Sequence, residues 1–161
     1  VSTPVKQISP FNDYAKAGLK GWQTYLAPTK GYDEMVFNLV PYSDAEGNTL
    51  AVLNNKAGSA GVAVGYNTKQ LPVLTLWKNT DTRAQGYVTG IEPGTSYAYS
   101  TKYQRPLGLV PKIQPGETKT FDLTYRLLRN GEEVKQALAQ VDKIQAGRPT
   151  ELREQPLVKL P

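Results

Sequence analysis

The chain reads as a mainly β protein: an antiparallel sandwich with one C-terminal amphipathic helix. Three observations predict that class. From residue 34 onward, short apolar or alternating runs recur, each cut off by Gly, Pro, Asn or Asp, which is the punctuation of strands that turn back on themselves. Phe121, Leu123, Tyr125 and Leu127 alternate with Thr120, Asp122, Thr124 and Arg126, the period of a half-buried strand with one wet face. Helical spacing is confined to Glu132–Gln145. At 161 residues the chain is one domain by ordinary size.

Residues 1–33 are rich in turn formers (Ser2-Thr3-Pro4, Ser9-Pro10, Gly18, Gly21, Pro28 and Gly31) and predict an irregular arm. Phe11, Tyr14, Trp22, Tyr25 and Tyr32 give that arm enough aromatic surface to pack on the sandwich. The sandwich region is 34–128. Glu34–Val40 predicts its first strand, Ser43–Asn48 a hairpin turn, and Thr49–Asn54 the returning strand. Asn55–Gly58 makes the next turn, and Gly61–Tyr66, Val73–Lys78, Gly86–Glu92, Leu109–Ile113 and Thr118–Leu128 continue the series.

Residues 129–161 close the chain. Asn130-Gly131 breaks the last strand, and Glu132-Glu133 sit at the electropositive start of a helix. Val134, Leu138, Val141 and Ile144 then form one stripe with Ala137 beside them, the face of a helix that docks on a body. With three prolines after Gly147, an extended tail is expected.

Composition removes much of the usual chemistry. The chain has no Cys and no His, so it holds no disulfide framework, thiolate nucleophile, imidazole metal ligand or Ser-His-Asp triad. Acid–base work must come from Asp, Glu, Tyr or Lys, or from another polypeptide. Lys and Arg number 19 against 14 Asp and Glu, a net charge of +5. The positives are scattered and never interleave with aromatics in the manner of an RNA-binding sheet, which argues against nucleic acid. No run approaches the roughly 18 apolar residues of a membrane span. Absent cysteine fits a cytoplasmic address slightly better than a periplasmic one and leaves the compartment open.

Three windows carry candidate chemistry. In Gln85–Gly94 (QGYVTGIEPG), Glu92 ends an apolar strand beside a loop, where a carboxylate needs a partner or a task. In Lys30–Val40 (KGYDEMVFNLV), Asp33 and Glu34 are adjacent and point to opposite faces of an extended chain. One of the two can reach a ligand. In Leu71–Lys78 (LPVLTLWK), Trp77 offers a flat apolar face for pyranose C–H groups and Lys78 a donor for hydroxyls. Trp22 and Tyr25 in Gly21–Pro28 (GWQTYLAP) are similar candidates on the arm.

Taken in order, GWQTYLAP, GYDEMVFNLV, LPVLTLWK, GYVTGIEPG and Ile113–Thr118 (IQPGET) resemble the C-terminal half of an aldose 1-epimerase, in the poorly characterised branch of the galactose mutarotase-like proteins. The resemblance implies the family's large antiparallel supersandwich and an isomerase that interconverts sugar anomers. Glu92 matches the family's general base, which takes the anomeric hydroxyl proton while a His donates to the ring oxygen. Tyr32-Asp33-Glu34 looks like the family's Tyr-Asp-His stretch, with Glu in place of His. Asp33 or Glu34, with Lys78 and Trp77, would hold the sugar, and Trp22 and Tyr25 would line the cleft. No metal or organic cofactor would be needed, since ring opening requires only a base and an acid within hydrogen-bond reach.

The acid is missing from this chain, and family members are much longer. Together with the opening Val1 and the arm, this leads us to expect a fragment whose N-terminal portion, or a second chain, completes the sandwich and supplies the acid. Two other functions fit the same residues. A non-catalytic sugar-binding module would bind aldoses without speeding anomer exchange. A basic β-domain would bind oligonucleotides with an affinity that falls steeply with salt.

Overall fold

The computed structural model describes residues 1–157. Its architecture is two sheets face to face, antiparallel but for one short parallel pair at the edge of the larger, with a helix on the outer side of the smaller one. The strands are β1 (Val5–Pro10), β2 (Met35–Pro41), β3 (Asn48–Asn54), β4 (Gly61–Asn67), β5 (Val73–Asn79), β6 (Val88–Gly94), β7 (Leu123–Leu128) and β8 (Glu151–Leu152). The larger sheet runs in the order β6-β5-β2-β1-β8 and the smaller β3-β4-β7. Short helices α1 (Asp13–Lys16) and α2 (Thr101–Gln104) precede the long α3 (Gly131–Gln145). Among the described residues, no helix is long and apolar enough to cross a membrane.

The core lies between the sheets. Ile8, Phe37, Leu39, Leu74 and Leu76 from the larger sheet meet Ala51 and Tyr66 from the smaller, with Leu19 and Trp22 of the opening segment filling one end. On the far side of the smaller sheet Leu50, Val52, Ala63 and Leu128 receive Val134, Ala137, Val141 and Ile144 of α3. That is the predicted stripe, with Leu138 half-buried at its margin. The Asn130 side chain starts α3 by accepting the Glu133 N–H at 2.9 Å, satisfying one of the donors a helix start leaves open.

Several expectations are corrected. The opening segment is not irregular throughout, because Val5–Pro10 forms β1 between β2 and β8. A register shift between Val5 and Gln7 breaks the alternation by which a strand is recognised. Ser43–Asn48 turns tightly, with Gly47 at φ 97° and its N–H on Asp44 O at 3.1 Å, but it does not make a hairpin. Both edges of β2 are already taken by β1 and β5, so β3 crosses to the other sheet. Leu109–Ile113 is not a strand; Pro111 has no N–H for a ladder. Thr118–Leu128 pairs only from Leu123, the side chain and backbone of Asp122 being held by Gln70 at 2.9 and 3.0 Å. The tail adds Glu151–Leu152 to β1 in parallel, and residues 158–161 lie outside the described residues.

Candidate functional site

Register decides which candidate side chains share a surface. Across the larger sheet Val36, Trp77 and Gly90 form one row, and Ser9, Asn38, Thr75 and Glu92 form the next. Rows two residues apart along a strand lie on the same face. That face is the outer one, away from the core. The other face carries Met35, Phe37, Leu76, Lys78 and Ile91, most of them buried against the smaller sheet. Trp77 and Lys78, adjacent in sequence, therefore look out of opposite sides of the sheet.

Glu92 is exposed on the edge strand β6. Its carboxylate leans back over Gly90: a Cβ on that glycine would stand 2.1 Å from Glu92 Oε1. Gly90 is thus the reason the carboxylate can lie toward Trp77, the residue paired with it. The Trp77 indole N–H donates to Glu34 Oε2 at 2.7 Å. Asp33 folds onto its own backbone, with Oδ1 accepting the Glu34 N–H at 2.9 Å. Of the two carboxylates left open by sequence, Glu34 is the one tied to Trp77. Glu92, Trp77 and Glu34 share this outer face.

Lys78, Trp22 and Tyr25 do not join them. Lys78 is only 5% exposed; its ammonium donates to Trp22 O at 3.1 Å and Thr24 O at 2.5 Å. It also stands 4.7 Å from the centre of the Tyr25 ring, a cation–π contact that takes up much of its remaining interaction capacity. Burial lowers its pKa to about 8. Trp22 is in the core rather than along a cleft. The Tyr25 hydroxyl is 2.6 Å from Thr89 Oγ1, which donates to Trp77 O at 2.6 Å; burial, partly offset by this hydrogen bond, raises the phenol's pKa. These three residues clamp the 22–25 segment beneath β5 and β6, while Glu92 and Trp77 stand above.

Two residues on the outer face escaped the sequence reading. Asn38 is fully buried in the Glu92 row; its Oδ1 accepts the Ala98 N–H at 3.1 Å. Its Nδ2 has no hydrogen-bond partner among the described residues. Two strand spacings, about 10 Å, separate it from Glu92. Thr75 stands between them. The one available signal was an Asn in the middle of the apolar run MVFNLVP. Among the described residues no three carboxylates gather as a metal site would require.

The comparisons agree with this architecture. A crystal structure described as a "putative aldose 1-epimerase" from Klebsiella pneumoniae subsp. pneumoniae is 54% identical and superposes with a TM-score of 0.95. The match takes in 98% of this chain but 41% of that one, so the chain spans less than half the length of this relative. No curated protein matches. The fold is that of the aldose 1-epimerase neighbour, a β-sandwich of the galactose mutarotase type. A family model described as "Domain of unknown function (DUF4432)" matches residues 1–127, and the chain belongs to that family.

Proposed function

We propose that the outer face of the larger sheet is a sugar site and that, in the complete protein, Glu92 is the general base of an anomer interconversion. The observation that carries this reading is the constellation of Glu92 leaning over Gly90 beside Trp77, itself bonded to Glu34. The exposed Glu92 carboxylate can accept the anomeric hydroxyl proton. The C–O ring bond then breaks as a proton arrives at the ring oxygen, the aldehyde turns, and reclosure gives the other anomer. Trp77 presents an aromatic face to the sugar C–H groups, and Glu34 or Asp33 accepts from hydroxyls. The proton donor comes from outside this chain, which has no His. Lys78, Trp22 and Tyr25 support the site from below by fixing β5 and β6.

The test is anomer exchange of common aldoses, followed by NMR in a preparation that accelerates it. Glu92→Gln is expected to abolish the acceleration while leaving the circular dichroism spectrum intact, and an unchanged rate refutes the assignment. The missing acid favours one second reading for this chain alone, a binding module. Aldose binding without accelerated exchange would establish it.

A further inference from the structure

The two adjacent carboxylates before β2 do different work. Glu34 stands two residues before Val36, the register partner of Trp77, and by strand period it shares the outer face with both. It is thus the diagonal neighbour of Trp77 across the strand pair, a spacing that long and aromatic side chains span. Here they do: the indole N–H donates to Glu34 Oε2 at 2.7 Å. Among the described residues Glu34 enters no ion pair, so its carboxylate is tied to the indole and not to a cation.

Both ends of that bond are braced. Behind Glu34, the Asp33 side chain accepts the Glu34 N–H at 2.9 Å, and the Asp33 carbonyl accepts the Tyr14 hydroxyl at 3.4 Å, which ties this stretch of backbone to α1. Behind Trp77, its own carbonyl accepts from Thr89 Oγ1 at 2.6 Å. On the other flank of Trp77 stands Gly90, with no side chain of its own to steer the ring. The plane of the indole is therefore set from the β2 side. An indole free to turn about its side-chain torsions loses that freedom when a ligand stacks on it, whereas one already held has less to lose.

We infer that Glu34 is a positioning residue: it fixes the plane of the Trp77 indole beside Glu92 and acts on a sugar through that ring, not by accepting from a sugar hydroxyl. To accept through Oε2, Glu34 would have to release the ring on which the sugar stacks. The inference rests on the sugar-site reading and goes further, because it takes Glu34 out of the set of hydroxyl acceptors.

The experiment is a double-mutant cycle on aldose affinity, read by NMR titration of this chain with D-glucose, D-galactose and D-xylose as probes. Glu34→Ala should weaken binding about two- to tenfold, the range that ordering one large side chain supplies. Glu34→Gln, whose amide oxygen still accepts the indole N–H, should recover most of that loss. Trp77→Phe keeps an aromatic face without the N–H, and adding Glu34→Ala to it should change nothing further. An effect of Glu34→Ala that persists in Trp77→Phe means direct contact with the sugar and overturns the inference. The Nε1–H resonance of Trp77, told from that of Trp22 by its loss in Trp77→Phe, gives a second readout. It should move and exchange faster in Glu34→Ala. Weaker binding with an unmoved resonance overturns the inference, and decides the matter where Trp77→Phe binds too weakly to titrate. If the parent binds none of the probes, the sugar-site reading falls and this inference with it, whereas the other two failures leave that reading standing.

Discussion

Gly90 and Lys78 show how single residues on one strand pair divide the work between two faces. A Cβ at Gly90 would meet Glu92 Oε1 at 2.1 Å and Cδ at 3.0 Å. The obstacle is a flexible side chain, so Gly90→Ala should move the carboxylate rather than the backbone. We expect the variant's stability to stay within about 1 kcal/mol of the parent and its anomer exchange to fall at least tenfold; measuring both on one sample checks the pair. Lys78 makes a pH prediction. Its folded pKa of about 8 lies below the ordinary lysine value, so between about pH 8 and 10 the unfolded chain binds more protons than the folded one. Stability therefore rises with pH across that window, by an amount on the order of 2 kcal/mol. Tyr25, raised by burial, favours the folded protonated form and reverses the trend above its ordinary value near 10. Thermal melts from pH 8 to 9.5 should climb in the parent and stay level in Lys78→Met.

At the scale of elements, α3 is the clearest case of sequence and structure agreeing. Its stripe, the Asn130-Gly131 break before it and its acidic first turn all act locally, so they are legible without the rest of the fold. Its end carries a strained residue: Ala146 sits at φ 51°, ψ 37°, with its N–H on Asp142 O at 2.8 Å. A left-handed conformation costs an L-residue roughly 1–2 kcal/mol, while glycine loses some entropy on folding. Ala146→Gly is therefore expected to stabilise by about 0.5–1 kcal/mol, read from denaturant midpoints. Strand β1 is the opposite case. Its pattern of buried, exposed, intermediate and three buried positions follows from a register shift and from neighbours on both sides, neither of which is visible in VKQISP. The predicted β2–β3 hairpin fails for a similar reason: a tight turn dictates a reversal, but not which sheet receives the returning strand.

In the whole molecule, one core joins the sheets. Phe37 is fully buried at its centre, in a cluster that draws on both sheets and on Trp22. Phe37→Ala should cost about 3–5 kcal/mol. Because the cluster is shared, we expect a single unfolding transition with fluorescence and circular dichroism coincident. Two separated transitions would show that the sheets unfold independently.

The class of fold, most strands of the sandwich, the docking face of α3, the absence of any His and the motif that pointed to Glu92 could be read from residue order alone. These depend on residue type and local period. Only the tertiary structure decided that Trp77 and Glu34 stand with Glu92 while Lys78, Trp22 and Tyr25 lie on the far side, and that Asn38 joins the Glu92 row. It alone showed too that the alternating face of β7 is exposed at Leu123, Tyr125 and Leu127. Alternation says that two faces differ, whereas pairing and sheet order say what each face meets; those come from contacts between residues far apart in the chain.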